Sequence, residues 1–211
     1  LIFAQIESAG SGMALLRVVG SSIDHAEQMD KMPQLDEQGK EIAPADHSIA
    51  FDHVSFSYDK KEILHDVSVV LPDQTTTAIV GPSGSGKTTL CNLISRFWDA
   101  DKGAITIGGR DVREYTLESL MEQISMVFQR VYLFADTIEN NIKFGKPEAT
   151  HEEVVEAAKR ACCHDFIAAL PQGYDTVIGE GGATLSGGEK QRISIARAML
   201  KDAPIVIFDE A

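Results

Sequence analysis

The 211-residue sequence predicts an α/β fold with a mainly parallel core sheet, a small antiparallel β-subdomain and an inserted helical subdomain. Three observations predict it. A period of two runs through Ile49, Phe51, Val54, Phe56 and Tyr58, as in a strand with one buried face. The β-branched run Thr75–Val80 leads straight into a glycine-rich turn and then into helical spacing. Helical spacing also fills Thr137–Leu170, between the strand-like stretches and a fully apolar run, Ile205–Phe208.

Each element has its local reason. Ile2, Ile6, Ala9, Met13 and Leu16 recur at helical spacing, so residues 1 to about 32 read as helix, weakened by Gly10, Gly12 and Gly20. Pro33 to His47 is polar and reads as a linker. Asp59–Glu62 reads as a turn, and Val67, Val69 and Leu71 as the returning strand. Leu90–Phe97 continues as helix, and Ala104–Ile107 is a short strand ended by Gly108 and Gly109. Thr150 with Glu153 makes a capping box ahead of the stripe Val154, Val155, Ala158 and Ala161. Gly173–Gly188 is loop, and Glu189–Leu200 is the last helix. Ile205–Phe208 is apolar throughout, as in a central parallel strand.

Composition narrows the function. Nineteen Lys and Arg against 32 Asp and Glu give a formal charge of −13, which argues against a nucleic-acid platform. Cys91, Cys162 and Cys163 lack paired metal-site spacing and read as reduced thiols, and the six histidines show no ligand spacing. No run reaches the roughly 18 apolar residues that cross a bilayer. The first twenty residues come closest, but Gln5, Glu7 and Arg17 interrupt them, and they lack the basic start of a signal peptide.

The strongest motif is Gly81-Pro82-Ser83-Gly84-Ser85-Gly86-Lys87-Thr88, followed by Thr89. It satisfies the spacing of a phosphate loop between strand and helix. The glycines let successive backbone N–H groups converge on phosphate oxygens, and the helix start adds its positive dipole end. Lys87 is placed to reach the β- and γ-phosphates and Thr88 to hold Mg²⁺. At the far end of the chain, Ile205–Phe208 delivers Asp209 and Glu210. Asp209 can hold the metal, and Glu210 can polarise an attacking water as general base. Together these motifs indicate a P-loop NTPase, a large class, with Mg²⁺ beside the phosphates.

Leu185-Ser186-Gly187-Gly188-Glu189 then precedes a helix. On residue type alone Ser186 is an ordinary N-cap. Alongside the other two motifs the stretch resembles the signature of the ATP-binding cassette (ABC) family, usually written L-S-G-G-Q. Here Glu189 stands where the family usually has Gln, which adds negative charge beside an anion site. The resemblance implies that Ser186, Gly187, Gly188 and Glu189 meet the γ-phosphate of ATP held by a partner domain. It also matches Tyr58 to the aromatic that stacks on adenine, where a core tyrosine is the plainer reading, and Gln129 to the glutamine that touches Mg²⁺ or the attacking water.

Asp136–Gly145 and Tyr174–Gly182, with Glu180, are similar to stretches of the exporter branch, although Gly181 departs from it. That branch implies a second ATP-binding domain, identical or different, and a transmembrane domain in the same polypeptide, with the ATPase at the cytoplasmic face of the membrane. Residues 1–47 are then a connector from the last membrane helix plus linker, or a helix packing on its own domain. Residues 48–211 are the ATP-binding domain, with the helical subdomain at about 130–186. The family pattern continues past the carboxylate pair to a switch histidine. None of the six histidines follows Glu210, so the expectation is a domain cut after this motif and a poor ATPase by itself. A soluble ABC ATPase working as a nucleotide-driven switch is the alternative.

Overall fold

The computed structural model describes residues 39–59 and 61–209, all within the unit Glu37–Ala211. The helix expected over residues 1 to about 32, the start of the linker expected over Pro33–His47 and the general-base candidate Glu210 lie outside the described residues.

Strand β1, Ile49–Tyr58, pairs antiparallel with β2, Lys61–Leu71, on one side. It pairs antiparallel with β3, Lys102–Ile107, on the other. A two-residue strand β4, Arg110–Asp111, completes the order β2-β1-β3-β4. This is the expected antiparallel subdomain. Ile49, Phe51, Val54 and Phe56 face its core with Ile105 and Ile107, so the period of two in β1 is a burial pattern.

A second sheet pairs β5, Ile124–Val127, with β6, Ile205–Phe208, in parallel. Helix α1, Lys87–Ile94, supplies Cys91, Leu93 and Ile94 to the core shared by both sheets. Helix α2, Leu117–Glu122, capped by Thr116, leads into β5. The sequence reading placed no element between Asp111 and Phe128, because six- and four-residue elements are too short to show a period.

Two expectations are corrected. Thr75–Val80 forms no ladder among the described residues, and Val80 is 88% exposed. β-branched composition favours a strand only where a neighbouring backbone supplies the ladder bonds. Likewise Ile205 and Ile207 are buried, whereas Val206 and Phe208 are 48% and 52% exposed. The apolar run therefore buries one face of β6, and among the described residues β6 pairs only with β5.

The segment between Gln129 and Ser186 is helical, as expected, but broken into α3, Ile138–Lys143, α4, His151–Arg160, and α5, His164–Ala168. Helix α6, Gly187–Lys201, follows. Thr150 and Glu153 form the expected reciprocal capping box, and Val154, Ala158 and Ala161 are buried below it. Ile193, Ala196 and Leu200 of α6 join Ile138, Ile142, Val154 and Ile167 in a second core.

Helix α6 also touches the parallel sheet. Lys201 Nζ donates to the carbonyls of Met121 and Ile124 at 2.7 Å each, and Ser125 Oγ donates to the Ala198 carbonyl at 3.3 Å. One helix thus joins the layer that begins at Ser186 to the sheet that ends at Asp209.

Candidate nucleotide site

The phosphate-loop conformation follows from its glycines. Gly84 and Gly86 have φ of 79° and 89°, in the left-handed region that glycine tolerates best. A Cβ on Gly86 would come within 2.7 Å of Leu64 Cδ2, so the loop's end lies flush against β2. Ser85 N donates to the Pro82 carbonyl at 3.2 Å, closing a turn. Gly86 is the N-cap of α1, and no side chain caps the helix there. No capping side chain competes with an anion at this positive helix end. Lys87 Nζ donates to the carbonyls of Gly81 and Pro82 at 3.1 Å each, bridging the loop's first two residues.

Thr88 Oγ1 donates to Asp209 Oδ1 at 2.8 Å across 121 residues of sequence. Asp209 is 6% exposed, and its N–H donates to the Val127 carbonyl at 3.0 Å, which continues the β5–β6 ladder. Burial pushes the neighbouring Cys91 thiol up to about 11, and the Asp209 charge adds to the shift. Cys91 is thus an inert core thiol close to the carboxylate. Thr89 is buried in the same turn of α1. A hydroxyl and a carboxylate oxygen held together are hard donors of the kind Mg²⁺ takes, so the residues fit that ion.

Gln129 is exposed, two residues beyond the end of β5. Because Val127 is bonded to Asp209, the strand leading to Gln129 runs beside the one ending at Asp209. Tyr58 ends β1 half-buried, its ring edge-on to Phe56 at 4.8 Å and to Trp98 at 5.4 Å. Phe56 pairs across the strands with Leu64, the residue against which Gly86 packs.

Ser186 to Glu189 belong to the other layer. Ser186 N and Oγ donate to Glu189 Oε2 at 2.7 Å each, and Glu189 N donates to Ser186 Oγ at 3.4 Å. The plain N-cap reading is thus realised in full as a capping box. The bonds from the Ser186 hydroxyl and N–H hold the Glu189 carboxyl below its usual range. The negative charge expected here is engaged in the cap.

Sequence reasoning missed the wall that Ile63 and Leu64 make against Gly86. It also missed the bond from Tyr132 Oη to Glu180 Oε1, 3.3 Å long. Both join residues distant in sequence, and no motif announces them.

Residues 64–211 match the family described as ABC transporter. The chain belongs to that family. Its fold is the P-loop ATPase fold of ABC transporters. It is 53% identical over 200 residues to the ATP-dependent lipid A-core flippase of Desulfotalea psychrophila, covering 95% of this chain and 34% of that protein. It is 53% identical over 165 residues to the putative multidrug export ATP-binding/permease protein YgaD of Bacillus subtilis, covering 77% of this chain and 28% of that one. A solved bacterial Atm1-family ABC exporter with ATP bound superposes with TM-score 0.85 at 43% identity, over 94% of this chain and 36% of that chain. These relatives of the ABC transporter chain are named as exporters and flippases. Among its described residues no helix is long and apolar enough to cross a membrane.

Proposed function

We propose that this chain is the ATP-binding and ATP-hydrolysing part of an exporter, driving transport at the cytoplasmic face of a membrane. The observation that carries the reading is the Thr88–Asp209 bond, which unites the phosphate loop with the strand-end carboxylate. The similarity to proteins named as exporters supports the transport part.

In this reading the N–H groups of Gly84, Ser85, Gly86, Lys87 and Thr88 take the phosphates, and Gly81, Pro82 and Ser83 shape the turn. Lys87 turns from its loop carbonyls to the β- and γ-phosphate oxygens. Tyr58 offers its ring to adenine. Thr88, Asp209 and Gln129 hold Mg²⁺, which supplies charge neutralisation at the β- and γ-phosphates. Glu210 accepts a proton from the attacking water. The water oxygen bonds to the γ-phosphorus, and the bond to the β–γ bridging oxygen breaks, leaving ADP and phosphate. Two domains close face to face, each placing Ser186, Gly187 and Gly188 on the ATP of the other. The transmembrane partner rides on the segment after Gln129. Its cargo is chosen by that partner.

Trapping tests the proposal. In the whole natural protein, Glu210→Gln is expected to bind ATP, form a stable closed dimer and lose hydrolysis. Hydrolysis at the wild-type rate would contradict the general-base role, and an ATP-bound monomer would contradict the face-to-face dimer.

A further inference from the structure

Arg197 sits in α6, and no step above uses it. Its guanidinium reaches two other segments. Nε donates to the Asn141 carbonyl at 2.8 Å, Nη2 to Asn141 Oδ1 at 3.2 Å, and Nη1 to the Tyr132 carbonyl at 3.4 Å. The same group lies 5.4 Å from the centroid of the Phe144 ring and 5.7 Å from that of Phe134, and the two rings are 4.7 Å apart. Planar, forked donors and aromatic contact together are what arginine offers and lysine does not.

Asn141 completes the joint. It is 1% exposed. Its amide nitrogen donates to the carbonyls of Phe134 and Thr137 at 3.1 and 2.9 Å, and Oδ1 accepts from Phe134 N at 2.9 Å as well as from Arg197. Every donor and acceptor of that amide is therefore used, and only one orientation satisfies all four. The helices press close here: a Cβ on Gly145 would come within 2.4 Å of the Arg197 carbonyl oxygen. Tyr132 lies three residues after Gln129, and Arg197 is eleven residues along the helix that Ser186 caps.

We infer that Arg197, with Asn141, is a positioning residue that fixes the segment leaving Gln129 to the helix headed by Ser186, so that the two move as one body during ATP-driven closure. The inference rests on the ATPase reading above. It assigns Arg197 to turnover and leaves nucleotide capture to the Lys87 loop.

The test uses the whole natural protein with Arg197→Lys, Asn141→Ala and the double variant. Maximal ATPase rate, ATP affinity and folded fraction are measured on each. Arg197→Lys is expected to lower the maximal rate about tenfold while ATP affinity and folded fraction stay at wild-type values. The double variant is expected to be no slower than the slower single one, because the two side chains form one joint. An unchanged rate overturns the inference. So does a rate that falls only in proportion to the folded fraction, or full additivity in the double variant. Lys87→Ala is run in parallel: if it hydrolyses ATP like wild type, the ATPase reading itself has failed. If Lys87→Ala is inactive and Arg197→Lys is normal, only the positioning role has failed.

Discussion

Thr88 and Asp209 are 121 residues apart in the chain and 2.8 Å apart in space. The bond joins the first turn of α1 to the end of β6, and it holds a hydroxyl and a buried carboxylate where both can turn to a cation.

Asp209→Asn is therefore expected to keep the fold and lose the Mg²⁺-dependent increment of ATP affinity. The loss should be on the order of tenfold or more, since a formal charge at the cation is removed. Calorimetry with and without Mg²⁺ checks this. Equal Mg²⁺ enhancement in wild type and variant would remove Asp209 from the metal site.

The two left-handed glycines should respond differently to alanine. A Cβ on Gly84 meets nothing within 4 Å, whereas on Gly86 it strikes Leu64. Gly84→Ala carries only the left-handed backbone cost of about 1–2 kcal/mol. Gly86→Ala adds a close contact at the head of α1 from which the Leu64 methyl must shift, and should bind ATP more weakly than Gly84→Ala. Equal affinities for the two variants would show that the loop can rearrange freely.

Tyr58 is half-buried in T-shaped contact with Phe56 and Trp98, and the proposed function assigns its ring to adenine. Tyr58→Leu should cost roughly 1–3 kcal/mol of ATP affinity, and Tyr58→Phe should cost little. If both variants bind ATP like wild type, Tyr58 is a core residue only.

The capping box predicts a pH dependence of stability. The Glu189 carboxyl is held below its usual range by Ser186, so the folded state favours the ionised form. That contribution is fully present above the unfolded value of about 4.3 and is lost as pH falls through the lower folded value. Glu189→Gln should thus be less thermostable than wild type at pH 7, with the gap closing below about pH 4. The effect is small because the Ser186–Glu189 bonds lie at the solvent-exposed surface. A gap that persists into acid would show that ionisation of Glu189 contributes nothing. Ser186→Ala should cost about 1 kcal/mol by removing the cap itself.

Features whose signal is local were legible in the sequence. The glycine-rich loop ahead of a helix, the Thr150–Glu153 box, the Ser186 N-cap and the alternation in Ile49–Tyr58 each lie within about ten residues, and the structure forms all of them, with Glu189 unexpectedly completing a second box at Ser186. Long-range features were not. Thr75–Val80 has strand composition but no ladder among the described residues, since pairing depends on a neighbour that composition cannot specify. Ile124–Val127 was unread because four residues carry no period, yet it is the strand beside Asp209. The Arg197–Asn141 joint spans 56 residues, and an Arg in a helix resembles any other until its partners are placed.

Calorimetric titration of Mg-ATP into wild type and Lys87→Ala decides whether the loop around Lys87 is the nucleotide site. The account predicts saturable binding to wild type and a loss on the order of a hundredfold or more in the variant, as expected when a charge-assisted phosphate contact is removed. Equal affinity in the two proteins would place ATP elsewhere and undo the reading of the Thr88–Asp209 pair as part of its site.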